Sequence, residues 1–214
     1  VADTFTRGFV KICGVTNPQD ARDVAASGAD ALGVIFAASP RRMEPGRARE
    51  VLEAAGRSLM RVAVFRGQPD GEVLAVLDEV DVDAVQVHGP LGRDLLDALR
   101  ARSLLVVKAL GVDDEDFASF DERLVDAVLV DGPRPGSGSA HSWDPLARRH
   151  FRGPFIAAGG LTPDSVATTI VLTGAWGVDC ASGVEAAPGR KDRALVEAFV
   201  AGARFGFASL EDKW

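Results

Sequence analysis

Tyrosine is absent from the 214 residues, histidine occurs three times and cysteine twice. The acids and bases at the chain's disposal are therefore mainly Asp, Glu, Cys and Lys. Cysteines as far apart as Cys13 and Cys180 resemble neither a disulfide framework nor a clustered zinc-ligand set, and a reducing cytoplasm suits them. No Lys- or Arg-rich run follows a nucleic-acid backbone, and the net charge of -7 is dispersed, so nucleic acid is not an expected partner. The longest apolar runs have only strand length and are broken by Gly and charge. No basic segment leads into an apolar core at the N-terminus, so neither a membrane span nor a signal peptide is expected, and the protein is read as soluble and cytoplasmic. No Gly-x-Gly-x-x-Gly follows the first apolar stretch, which sets a dinucleotide-binding sheet low.

What is present is a short apolar segment repeated along the chain, alternating with helix-forming segments. Val10-Lys11-Ile12-Cys13 reads as a strand with Lys11 and Cys13 on one face, ended by Gly14. Further strands are expected at 30–36, 60–65, 84–88, 104–109, 127–130, 155–158 and 177–181. Helices are expected at 18–27, 45–55, 70–80, 91–101, 162–172 and 192–204, with a short one at 113–123, a loop over 134–142 and a short helix over 143–150. Residues 205–214 read as a helix end followed by a mobile terminus. Eight parallel strands, each followed by a helix, imply one α/β domain over 1–214, a (β/α)8 barrel; an open doubly wound sheet is the alternative.

In such a barrel the strand exits share one surface. It would carry Cys13, Arg41 and Arg42, Arg66, His88, Lys108, Asp131, Gly159-Gly160 and Ser182-Gly183. Two Gly-rich turns after strands 7 and 8, with Thr162-Pro163 opening a helix, suit a phosphate, although glycines also simply make tight turns. Asp131 is either a carboxylate at the barrel mouth or a loop cap. An arginine at 41 or 42 can grip a carboxylate or stay a solvated charge. Cys13 is either a reactive thiol tuned by Lys11 or the small buried hydrophobe that a free cysteine more often is. His88 serves the site or the fold equally well, and His141, His150 and Cys180 are assigned to structure or solvent.

The ordered set Lys11-Ile12-Cys13-Gly14-Val15-Thr16, Gln86-Val87-His88-Gly89, Val130-Asp131, Gly136-Ser137-Gly138, Gly159-Gly160-Leu161 and Asp179-Cys180-Ala181-Ser182-Gly183-Val184-Glu185 resembles the phosphoribosylanthranilate isomerase family along nearly the whole chain. The resemblance implies a cofactor- and metal-free Amadori rearrangement of N-(5-phosphoribosyl)anthranilate in tryptophan biosynthesis. It implies Asp131 as general acid and Cys13 as general base, with a positive neighbour lowering the thiol's pKa. Arg41 would hold the anthranilate carboxylate, Gln86, His88 and Asp179 would lie near the substrate, and Gly159, Gly160, Ser182 and Gly183 would cradle its phosphate. The partner is then a small phosphorylated sugar-anthranilate, and the protein a monomer or homodimer. The pattern departs at Ser139-Ala140-His141-Ser142 before Trp143, and at Ala181, where a serine is common. Cys13 argues against a bifunctional histidine-pathway isomerase, which resembles this family but carries aspartate there. A silent phosphate-binding barrel is the reading from another class. A lyase or synthase of the same pathway ranks last, because the lysine that chemistry needs at the end of strand 1 is missing.

Overall fold

Strands that are apolar at nearly every position need cover on both faces, and a closed sheet wrapped in helices supplies it. In the computed structural model, which describes residues 5–132 and 151–211, eight parallel strands close into a barrel in sequence order. They are β1 (Phe9–Cys13), β2 (Ala31–Ile35), β3 (Met60–Arg66), β4 (Ala84–His88), β5 (Leu105–Gly111), β6 (Ala127–Asp131), β7 (Phe155–Ala158) and β8 (Gly177–Cys180). The open-sheet alternative is excluded by the pairing of β1 with both β2 and β8. Around them lie α1 (Pro18–Ala26), α2 (Pro45–Ala55), α3 (Asp70–Glu79), α4 (Arg93–Ala101), α5 (Val166–Thr173) and α6 (Arg193–Glu211). A hairpin, β9 (Glu185–Ala187) and β10 (Arg190–Lys191), follows β8. The expected loop over 134–142 and short helix over 143–150 lie outside the described residues.

Strand alternation divides the core in two. Val10, Val85, Val128 and Val178 face the helices, whereas Phe9, Ala31, Val62, Ala84, Leu129 and Ile156 fill the barrel. Inside-facing positions are apolar at the strand entries, with Phe9, Ala31, Ala84 and Ala127, and become polar toward the exits at Lys11, Gln86, His88 and Asp131, so the barrel is packed below and opens into a cavity above.

Three expectations are corrected. The segment 113–123 is not a helix; it runs through turns to a single 3-10 turn at Glu122–Leu124. The Asp114 carboxylate accepts the Gly111 N–H at 2.7 Å, and such local side-chain bonds compete with helix formation. The helix after β7 starts at Val166 rather than 162, because the Ser165 hydroxyl accepts the Thr162 N–H and closes a turn ahead of it. The last helix continues to Glu211 instead of stopping at 204. Phe207 is buried and Gly206 lies against Ala167 of α5, so packing holds the helix beyond the expected stop.

A repeat not visible in the motifs ties the barrel's lower end. Asp30, Asp83 and Asp126 each stand immediately before an Ala that opens β2, β4 or β6. Each carboxylate accepts the backbone N–H that enters the preceding strand: Val10 at 2.7 Å, Arg61 at 2.8 Å and Val106 at 2.8 Å. Asp83 also holds the Arg61 guanidinium, which lies buried between it and Asp81. Asp126→Ala should lower stability by about 1 kcal/mol, and Asp83→Ala by more because it strips a buried cation of one partner. Equilibrium urea unfolding of the two variants checks the ranking.

Candidate active site

The same alternation aims Lys11, Cys13, Gln86, His88, Asp131 and Asp179 into the barrel, since each lies two or four positions from an inward apolar residue on its strand. At the strand exits a cavity of about 1030 Å³ opens. Asp131, His88, Asp179 and Arg41 line it, as do Gly159, Gly160, Ser182 and Gly183. Eight of the ten residues that the family resemblance assigns to the site therefore line one cavity. Cys13 and Gln86 do not line it; both are buried in the barrel.

Closure of β1 against β8 sets Lys11 opposite Asp179, with Nζ and Oδ1 2.9 Å apart. Both side chains are buried, and the contact is an ion pair rather than an aligned hydrogen bond. Burial alone would lower the Lys11 pKa, but the charges of Asp179 and Cys13 outweigh it and hold the ammonium protonated. For Cys13 the balance goes the other way. Burial raises its pKa above the ordinary thiol value although Lys11 pulls it down, which corrects the expectation of a lowered pKa in the free protein.

Asp131 ends β6 and its pKa is pushed up to about 6, first by burial and then by the negative charge of Asp179, against the pull of Lys11 and Arg66. Although 43% of its side chain is open to solvent, it sits within a concave mouth where protein replaces most of the water around it. His88 is pushed down to about 4, chiefly by burial, and is neutral at neutral pH. Gln86 Nε2 donates to His88 Nε2 at 2.8 Å, which leaves the ring proton on Nδ1, 3.8 Å from Asp131 Oδ2. The distance is electrostatic contact rather than a hydrogen bond.

The two glycine turns are tied to each other. A side chain on Gly183 would collide with the Leu161 carbonyl, which also accepts a hydrogen bond from Cys180 Sγ at 3.1 Å. That bond, with the burial that pushes the Cys180 pKa to about 12, agrees with its structural assignment.

Arg41 is gripped by a carboxylate of the protein itself: Nε and Nη2 donate to the two oxygens of Glu185, each at 2.6 Å. Lys191 Nζ reaches Glu185 Oε1 at 3.0 Å and the Ala181 carbonyl at 2.8 Å. Burial alone would raise the Glu185 pKa, but these cations lower it and keep the group ionised. Glu185 and Lys191 were given no role from sequence. The signal was there in two charged residues flanking the Pro188-Gly189 turn, a pattern that reads as a short hairpin. Arg66 and Lys108 also line the cavity, as do the acidic residues Asp113–Asp116, two of which, Asp114 and Asp116, lie near enough to Lys108 for their charges to act on it. Among the described residues no group of three or more His, Cys, Asp or Glu is arranged to hold a metal ion, and no helix is long and apolar enough to cross a membrane.

A family model described as N-(5'phosphoribosyl)anthranilate (PRA) isomerase matches residues 10–202. The N-(5'-phosphoribosyl)anthranilate isomerase of Rubrobacter xylanophilus is 39% identical over 202 residues, covering 91% of this chain and 98% of that protein. A phosphoribosyl anthranilate isomerase solved in complex with reduced 1-(o-carboxyphenylamino)-1-deoxyribulose 5-phosphate superposes with a TM-score of 0.75 at 32% identity, covering 92% of this chain and 98% of that one. Monomers generated from the dimeric Thermotoga maritima enzyme give a TM-score of 0.76 at 32% identity, with 92% and 98% covered. The chain belongs to the phosphoribosylanthranilate isomerase family.

Proposed function

We propose that Asp131 and Cys13 are the acid and base of the family's reaction in this chain, the conversion of N-(5-phosphoribosyl)anthranilate to 1-(2-carboxyphenylamino)-1-deoxyribulose 5-phosphate in tryptophan biosynthesis. The observation that carries the assignment is the raised pKa of Asp131 at the cavity wall, since a carboxyl near 6 retains a proton to give close to neutral pH. Protonated Asp131 donates to the ribose ring oxygen as the C1–O bond breaks, and the anthranilate nitrogen's lone pair forms a cationic Schiff base. The Cys13 thiolate then takes the proton from C2, and the electron pair moves to the nitrogen to give an enolamine. Loss of the enol proton and protonation at C1 give the ketone. Returning the Cys13 proton to Asp131 through solvent closes the cycle with no electron acceptor needed.

Burial raises the Cys13 pKa in the free protein, so the thiolate needs help. Lys11 supplies one adjacent positive charge, and the Schiff base supplies a second at the moment of need. The turns at Gly159-Gly160 and Ser182-Gly183 receive the phosphate, Arg41 the anthranilate carboxylate, and His88 and Asp179 flank the sugar, with Gln86 near it behind His88, to which it is hydrogen-bonded. By this reading the protein is one domain over 1–214, cytoplasmic, cofactor-free, with a phosphorylated sugar-anthranilate as its small-molecule partner. It acts as a monomer or homodimer without nucleic acid or membrane.

Asp131→Asn and Cys13→Ala should each lower kcat by about 10²–10⁴-fold while the variants stay folded. Loss of substrate fluorescence, followed with a chelator present, measures this, and undiminished turnover in either variant would remove its residue from the mechanism.

The two pKa values are reversed relative to the roles, with the acid titrating at about 6 and the base above its ordinary value. The reactive form, protonated Asp131 with Cys13 thiolate, is then a minor but constant fraction between the two pKa values. The kcat/KM profile should therefore be flat from about pH 6 up to the thiol pKa and fall on either side. In the same way, the raised carboxyl contributes stability that is full below its unfolded value and lost as pH rises through about 6. Asp131→Asn, neutral throughout, should be more stable relative to wild type at pH 8 than at pH 5, as paired thermal melts would record.

A further inference from the structure

We propose that Glu185 is a positioning residue for recognition of the ligand's aromatic carboxylate: it holds one edge of the Arg41 guanidinium so that the remaining edge faces the cavity. The inference rests on the reading of Arg41 as the carboxylate's partner.

The grip has three components. The stem of Arg41 lies across Gly14, whose φ of +69 and lack of a side chain leave that path open; a Cβ there would overlap Arg41 Cδ. At the tip, Glu185 takes Nε and Nη2 in the planar two-bond arrangement that guanidinium and carboxylate favour, leaving Nη1 as the terminal nitrogen outside this fork. Glu185 itself cannot swing away. Its side chain is only 5% exposed, and it accepts from Lys191 Nζ and from the Gly189 N–H at 3.3 Å. The hairpin that carries it is pinned in turn: Lys191 N–H donates to buried Asp20 at 2.7 Å, and the Thr16 hydroxyl donates to the Gly189 carbonyl. Arg41 lines the cavity, so the donor that remains is presented at a fixed place rather than on a freely rotating chain.

Charge and position make opposite predictions here. Arg41, Lys191 and Glu185 together carry one net positive charge, and replacing Glu185 by a neutral residue raises it to two. If attraction alone mattered, Glu185→Gln would bind a carboxylate more tightly. If the orientation of Arg41 matters, it binds it less tightly.

The test compares two ligands, the product analogue reduced 1-(2-carboxyphenylamino)-1-deoxyribulose 5-phosphate and the same reduced molecule without the ring carboxyl. Titration calorimetry would be run on wild type, Glu185→Gln, Glu185→Asp and Arg41→Ala, with circular dichroism to verify folding. Glu185→Gln should weaken the carboxylated ligand by about tenfold, the scale of a charge-assisted hydrogen bond, and leave the other ligand within about twofold. Glu185→Asp, which keeps the charge on a shorter arm and serves if the Gln variant does not fold, should lose the same preference in part. Adding Glu185→Gln to Arg41→Ala should then have no further effect on the preference. Equal weakening of both ligands, or tighter binding of the carboxylated one, overturns the proposal while leaving Arg41 in its role. A preference that survives Arg41→Ala overturns the Arg41 reading and this proposal with it.

Discussion

The buried contact between Lys11 and Asp179 exists only because the barrel closes, and its charges reach both Asp131 and Cys13. β1 lies near one end of the chain and β8 near the other, and their pairing puts a cation and a carboxylate 2.9 Å apart where water is nearly excluded. Such a pair is costly to bury and weak evidence of stability. Its value here is electrostatic. Asp179 helps raise the pKa of Asp131, while Lys11 draws the Cys13 pKa down against burial. One fixed pair thus acts on both of the proposed proton-transfer groups with opposed charges: at Asp131 the upward push of Asp179 outweighs the pull of Lys11, and at Cys13 the pull of Lys11 outweighs the push of Asp179.

Above this pair the site is organised by loops that brace one another. Burial of Glu185 puts Arg41, from the loop after β2, in contact with a hairpin that follows β8. The same hairpin reaches the loop after β1 through Thr16 and the turn after β8 through Ala181. Three loops that would each be mobile alone become one rim. The proposed carboxylate site and phosphate site are thereby held at a fixed separation, which suits a ligand bearing an anion at each end.

Much of this was legible in the sequence because strand patterning leaves a direct trace. Val10 and Ile12 alternate with Lys11 and Cys13, and that parity by itself places the thiol and the ammonium on one face. The Gly-Gly and Ser-Gly turns likewise announced the end of β7 and β8. What the sequence concealed depends on contacts made across long separations. The length of α6 was hidden because Gly206, a breaker by propensity, is retained for its fit against Ala167. The missing helix at 113–123 was hidden because Asp114 turns back onto its own backbone. The direction of the Cys13 shift was hidden for a different reason. Sequence shows that a lysine is near the thiol, but only the packed barrel shows how completely both are removed from water.

The acidic character of the chain shows where recognition of an anionic ligand has to come from. With a net charge of -7, long-range attraction does not favour a phosphate or a carboxylate, and salt screens what field there is within about 10 Å. Binding must rest on donors at short range, and the cavity concentrates them. Arg41 and Arg66 stand on its wall with two glycine turns, as do the acidic residues Asp113–Asp116. Donors held at fixed places around one opening orient an elongated anion rather than merely attracting it. In the proposed reaction that orientation decides the chemistry, because a sugar entering with its two charged ends exchanged would present the wrong atoms to Asp131 and Cys13.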